Sequence, residues 1–246
     1  MEKDWNNREF GMRGAAHSDK TVERHEGLRR YMQTVYNYMS AGLAVTGLAA
    51  YLFFRYLAGS PEAQQAVFGS SLVYVIAFTP FIFVIALSMG LSKFRLGTIH
   101  ALFWLFATTM GLSLAPIFFA YTGASIAKVF FITAGTFAGM SLYGYTTQRD
   151  LTAIGSFLIM GLWGIILASI VNWFLGSSAL QFVISIIGVV IFIGLTAYDT
   201  QRIKMGYYEG QGHEMYHRRA ISGALHLYLD FINLFIMLLR LFGDRR

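Results

Sequence analysis

The sequence predicts an all-α integral membrane protein with seven transmembrane helices. Of its 246 residues, 56% are hydrophobic and only 13% are charged, whereas about a quarter of the residues in a soluble domain are charged. The apolar residues are grouped in seven runs, each close to the roughly 20 residues that cross a bilayer. Cysteine is absent, which excludes disulfides, thiolate metal sites and thiol nucleophiles.

The predicted spans follow one another with short connections. They lie at about 33–54, 68–91, 99–121, 126–146, 151–175, 179–201 and 219–242. The connections at 122–125 and 176–178 are so short that the helices on either side of each should be antiparallel neighbours. The longest internal loop, about 205–218, contains three glycines and is expected to be irregular.

Residues 1–30 form a polar tail that we expect to be disordered and cytoplasmic, ahead of a transmembrane domain over residues 31–246. The tail has no apolar h-region, so the first span is expected to act as its own insertion signal. The tail and the loops on its side of the membrane carry fourteen Lys and Arg, against five on the other side. This asymmetry predicts a cytoplasmic N-terminus and, after seven crossings, a C-terminus outside. The tail mixes both charge signs, so a nucleic-acid partner is not expected.

Two carboxylates lie inside apolar spans and are the candidate functional residues. Asp199 lies in "LTAYDTQRIK" on span six, and Asp230 lies in "LYLDFINLF" on span seven. Ionisable groups within a membrane are costly and are functional candidates for that reason. The polar residues that share a face with them at helical spacing are Thr196 and Arg202 on span six and His226 and Asn233 on span seven.

Facing carboxylates in a low dielectric cannot easily both ionise, so the pair would hold a proton or, when doubly charged, a hard cation such as calcium. One alternative is that Asp199 merely pairs with Arg202 at the membrane edge.

The depth of the two acids in the membrane is a separate question. If spans six and seven were straight and ended at the same depth, the two acids would lie about 10 Å apart along the membrane normal. They can meet only if span six is set deeper, or if span seven begins above the membrane surface.

The pentapeptide "HEMYH" at 213–217 matches the zinc signature H-E-x-x-H, in which two histidines one helical turn apart bind the metal. It lies in the glycine-rich loop, whereas an intramembrane metalloprotease would carry it inside a span. Gly223 occupies the position where an extended motif has a third histidine. We therefore expect a solvated loop and no zinc at His213 and His217, with a weak metal or proton sensor as the alternative. No enzymatic activity is predicted.

Three segments resemble the Bax inhibitor-1 family, also called the transmembrane Bax inhibitor motif family: "AYDTQRI", "ALHLYLDFINLFIMLLRLFG" and "MGLSLAPIF". The resemblance covers about residues 31–243 and is that of a bacterial member, which implies the inner membrane. It implies three antiparallel helix hairpins around a central seventh helix. It also implies a pH-sensitive calcium leak governed by Asp199 and Asp230, with a basic latch at Lys93 or Arg95.

The sequence therefore leads to one functional hypothesis and one rival. Ionised Asp199 held by the latch would keep a calcium pathway closed, and acidification would protonate the pair and favour opening. The partners would then be the lipid bilayer and calcium as the transported ion, with no further cofactor. The rival is a non-conducting modulator that binds and regulates membrane proteases or other membrane proteins.

Overall fold

The protein is all-helical in the computed structural model, which describes the backbone of residues 2–246 and the side chains of residues 25–246. Helices extend over α1 (Glu2–Gly59), α2 (Pro61–Phe68), α3 (Leu72–Gly90), α4 (Leu96–Leu114), α5 (Pro116–Ala120), α6 (Gly123–Thr146), α7 (Thr152–Leu175), α8 (Ser178–Met205) and α9 (His213–Phe242). No strand occurs among these residues. Residues 25–30 of the predicted tail belong to the described part of α1, whereas the side chains up to residue 24 lie outside the described residues and the disorder expected there stays a prediction.

Seven of these segments are long and apolar enough to cross a membrane, which confirms the predicted fold class. The first runs over His25–Gly59 and the last over His213–Phe242, so both are longer than predicted. The expected irregular loop at 205–218 is therefore wrong for its second half. After Gly212 the sequence contains no further helix breaker in this segment, and an i,i+4 ion pair between Glu214 and Arg218 supports the first turn of α9.

Helix α9 lies at the centre of the bundle. It contacts α1, α4, α6 and α8, and it is the most buried of the seven spans. Helices α7 and α8 pack as a hairpin, whereas α1 packs chiefly against α4 and α9. The predicted arrangement of three hairpins is therefore not confirmed, although the central position of the seventh span is as expected.

Two glycines mark the closest approaches between helices. A Cβ atom at Gly144 on α6 would overlap the backbone carbonyl of Ala197 on α8, and one at Gly111 on α4 would lie 2.5 Å from the carbonyl oxygen of Thr46 on α1. At Gly139, one turn and a half from Gly144 on the same helix, an added Cβ would meet nothing within 4 Å. Small residues thus bring these backbones together without a hydrophobic driving force, as is typical in lipid.

The beginning of span one and the end of the chain lie at opposite ends of the bundle. Tyr31 on α1 has its ring centre 5.5 Å from that of Tyr207, just after α8. At the other end the backbone N–H of Thr122 donates to the carbonyl of Asp244 at 3.1 Å. We call the end of the bundle that carries Arg202 and Arg219 the basic end. Seven spans are an odd number, so the first span has to begin at one end of the bundle and the last has to end at the other. The cytoplasmic orientation of the basic end stays a prediction.

Candidate functional site

The register between α8 and α9 decides whether the two predicted acids meet. Ile203 packs against Gly223, and further along the pair Met237 packs against Gly188. Because the helices are antiparallel, this register sets Asp199 only about three residues, or about 4.5 Å of rise, from Asp230.

The predicted depth mismatch of about 10 Å is therefore about halved. Helix α9 also begins at His213, before the expected start of span seven at Arg219.

The carboxyl groups of Asp199 and Asp230 lie close enough together to interact directly. The residues are 8% and 5% exposed, respectively. The Oδ2 atom of Asp230 is buried and receives no hydrogen bond from the other described residues. Two ionised carboxylates offer acceptors only, whereas a protonated one supplies an O–H donor. A shared proton, or a cation, is what would satisfy this oxygen.

The predicted polar face exists, but it does not solvate the pair. Thr196, His226 and Asn233 each donate to the carbonyl oxygen four residues earlier on their own helix, at 2.7 to 2.8 Å. The donor that each of them uses is thus bound to its own helix and not to the carboxylates. The side chains that act on Asp199 from nearby are His226 and Arg202, whose charged forms attract its carboxylate.

A cavity of about 320 Å³ leads from the basic end to Asp199. Its polar lining includes Arg202, Arg219 and His226, together with Tyr31 from α1. The Arg219 side chain is held there by a hydrogen bond from its Nη1 to the carbonyl of Gly206, at 2.7 Å. Asp230 does not line the cavity and lies behind Asp199, so the pair is reached from one end of the bundle through Asp199.

Toward the other end the site is sealed by apolar packing. Helices α8 and α9 share a buried cluster that includes Phe192, Leu195, Leu234 and Leu238. From Asp230 to Phe242, the last residue of α9, the chain rises about 18 Å. The cavity is therefore open at the basic end and closed beyond the acids.

The residues predicted as a latch do not contact the acids. Lys93 and Arg95 are exposed in the turn between α3 and α4, and the ion pairs among the described residues do not include them. That turn is tied to α9 in another way, since Arg218 donates to the carbonyl of Leu91 at 2.6 Å. Arg219 was not predicted as a site residue, although the basic pair Arg218–Arg219 at the start of span seven was a usable signal.

Two hydroxyl networks near the site were also missed. The hydroxyls of Tyr36, Ser141 and Thr200 join α1, α6 and α8, at 2.5 and 2.9 Å, along a wide apolar groove of about 1000 Å³ between α1 and α6. The Tyr228 hydroxyl contacts that of Thr46 at 2.7 Å. Thr46 is also 2.8 Å from a carbonyl on α4. Because Thr46 has one proton and it goes to a carbonyl, Tyr228 is the donor in their contact.

The HEMYH motif lies on a helix, contrary to the prediction of a solvated loop. His213 and His217 form the first turn of α9, and their ring centres are 4.5 Å apart. Glu214, between them, is bound by Arg218. In the part of the chain that the structure describes, no three histidine or acidic side chains are already arranged to hold a metal ion.

A family model and several known proteins are similar to this chain over most of its length. The model of the family described as inhibitor of apoptosis-promoting Bax1 matches residues 28–246. The uncharacterized protein RP147 of Rickettsia prowazekii is 48% identical, over 90% of this chain and 92% of its own. Inner membrane protein YbhL of Escherichia coli K12 is 45% identical, over 93% and 97%. An uncharacterized protein of Borreliella burgdorferi is 47% identical, over 93% and 98%.

Proposed function

This chain belongs to the Bax inhibitor-1 family of membrane proteins, and from that premise we propose that it is a pH-sensitive calcium leak channel gated by protonation of Asp199 and Asp230. The observation that carries the proposal is the contact between two buried carboxyl groups, one of which has an oxygen without another partner. When two carboxyl groups lie this close together, adding or removing a single proton changes the interaction between them.

The pair also has the chemistry of a calcium site when both groups are ionised. Calcium takes six to eight oxygen ligands, including carboxylates and water. Asp199 and Asp230 would supply up to four oxygens, and water in the cavity of about 320 Å³ would supply the rest. Without calcium, the same doubly ionised state is unfavourable, because two like charges then face each other away from bulk water. Protons and calcium would therefore compete for the pair.

Gating would act through the cations of the cavity. Ionised Asp199 attracts Arg202 on its own helix and faces Arg219 on α9 across the cavity, which favours the packed arrangement of α8 and α9. Protonation of Asp199 removes that attraction, so that α8 and α9 are held together less tightly. The apolar cluster between the same two helices, which closes the pathway, could then open. In this arrangement Arg202 and Arg219 take the role expected of Lys93 or Arg95.

We place the chain in the inner membrane with its basic end toward the cytoplasm. The relative YbhL is named an inner membrane protein. The excess of Lys and Arg at this end follows the rule for cytoplasmic loops. The cavity would then open to the cytoplasm, and cytoplasmic acidification would be the signal that reaches Asp199.

The proposal is tested with the purified chain reconstituted in lipid vesicles that contain a calcium-sensitive dye. Calcium influx should rise as the external pH is lowered from about 8 to about 5, and protein-free vesicles should show no such rise. If vesicles with correctly folded protein pass no calcium at any pH, the leak hypothesis is wrong. The non-conducting modulator would then be the better interpretation.

A further inference from the structure

The wide groove between α1 and α6 has no part in the proposed function. Its volume is about 1000 Å³, against about 320 Å³ for the cavity at Asp199. Helices α1 and α6 form its two walls, and the buried side chain of Phe231, on the central helix α9, lies at its base. The exposed side chains of Leu48 and Leu142 line its rim. The groove therefore opens on the outer surface of the bundle, where lipid surrounds a membrane protein.

The length and the lining of the groove suit a hydrocarbon chain. Along α1 the lining runs from Arg29 to Leu48, which is about 28 Å of helical rise. One leaflet of a bilayer contributes about half of the roughly 30 Å hydrocarbon core, so the groove is long enough for an acyl chain that enters at either end. Small residues such as Ala44 on α1 and Ala138 on α6 leave room between the walls.

Charge enters the groove at one end only, among the described residues that line it. Arg29 lies at the basic end, with Gln33 one turn further along α1. Tyr145 lines the opposite wall near the end of α6. A second cation adjoins this tyrosine, since Nζ of Lys204 donates to its carbonyl at 2.6 Å and lies 5.3 Å from the centre of its ring. No acidic side chain of the described residues lines the groove.

Arg29 is placed to bind an anion. Its side chain is exposed, and the ion pairs among the described residues do not include it. Glu26, the acidic residue one turn earlier on α1, is paired with Arg30 at 3.7 Å. A guanidinium group can hold a phosphate through two parallel hydrogen bonds, and the side-chain amide of Gln33 is a further donor. Basic pockets between transmembrane helices are known to hold anionic lipid head groups.

We propose that the groove between α1 and α6 binds one phospholipid with an anionic head group, with its phosphate at Arg29 and an acyl chain along Phe137. A phospholipid has the same polarity as the groove, a charged end followed by an apolar chain. A transmembrane helix of a second copy would bring apolar side chains and no anion to Arg29. The bound chain would contact Phe231, the residue after Asp230. The site stands whether or not the protein conducts calcium, because it is defined by lipid binding alone.

The first test is native mass spectrometry of the full-length chain in detergent, with added phosphatidylglycerol or phosphatidylcholine of the same acyl chains. We expect one phosphatidylglycerol per chain, bound at least about fivefold more tightly than phosphatidylcholine. Arg29→Gln should weaken phosphatidylglycerol binding by about fivefold, the contribution of one basic residue near an anionic lipid surface, and leave phosphatidylcholine binding unchanged. The matched control is Arg30→Gln, which removes the same charge from the adjacent exposed position.

A second variant tests the chain-binding part of the groove. Ala138 is exposed on the α6 wall, so Ala138→Leu should fold normally and fill space that the acyl chain needs. Phosphatidylglycerol should raise the thermal unfolding temperature of the wild type and of Arg30→Gln by mass action, and this rise should be lost in Ala138→Leu.

Three results would overturn the proposal. The first is equal binding of the two lipids by the wild type, and the second is an equal loss of phosphatidylglycerol binding in Arg29→Gln and Arg30→Gln. The third is a dimer in detergent that Ala138→Leu converts to a monomer without any change in lipid binding. In that case the groove would be an interface between two copies of the chain.

Discussion

Replacing Asp230 by asparagine removes one of the two titrating groups while keeping the shape of the side chain. Two unit charges about 4 Å apart repel by about 4 kcal/mol at an effective dielectric constant of 20. The doubly ionised pair is therefore disfavoured by about a thousandfold relative to two isolated carboxylates, since 1.36 kcal/mol corresponds to a factor of ten. In Asp230→Asn this repulsion is absent, and the amide can donate a hydrogen bond to Asp199.

Calcium flux through Asp230→Asn vesicles should therefore lose the rise that the wild type shows on acidification. In the wild type one shared proton controls the pair, so flux should change by no more than about tenfold per pH unit. Asp199→Asn should give the same flat profile, and the double variant should resemble each single variant. This non-additivity is what a shared proton requires.

The matched control is Asp150→Asn, which removes a carboxylate between two spans. The hydrogen bonds that Asp150 accepts from the side chain and backbone of Thr152 hold the pKa of this carboxyl below its ordinary value. It therefore stays ionised across the assay range, and its variant should keep the wild-type pH profile. The reasoning is refuted if Asp230→Asn keeps the wild-type midpoint and slope, or if each single variant loses only part of the pH dependence and the double variant loses the rest.

Three further substitutions, one of them with a matched control, test the packing that holds the site. Gly144→Ala should destabilise the protein by about 1 to 3 kcal/mol in detergent melts, because its Cβ meets the α8 backbone. Gly139→Ala should be neutral or slightly stabilising, and equal effects of the two would contradict the close approach. Tyr228→Phe should cost about 1 kcal/mol through loss of the hydrogen bond to Thr46, with an unchanged pH profile of calcium flux. Gln201→Leu should speed trypsin cleavage in the α6–α7 turn, since the Gln201 amide holds two backbone groups there at 2.8 and 2.9 Å; an unchanged cleavage rate would exclude that role.

The sequence alone was sufficient for the membrane class, the number of spans and the candidate acids. A span depends on the local density of apolar residues against the thickness of a bilayer, so it can be counted without knowing its neighbours. An aspartate inside such a span is conspicuous for the same reason, and Asp199 and Asp230 were found in this way. The family resemblance in the last two spans was also visible in the sequence, and the match over residues 28–246 confirms it.

Only the tertiary structure decided which of these residues meet. The contact between Asp199 and Asp230 depends on the register of α8 against α9, which is set by packing such as that of Ile203 on Gly223. Side-chain packing between distant segments leaves no periodic signal in either segment. The same holds for Tyr36 and Ser141, whose hydroxyls meet across 105 positions of the chain because α1 and α6 both pack on α9. Composition thus determined that the chain has seven segments long and apolar enough to cross a membrane, and the packing of its helices determined which polar groups lie together.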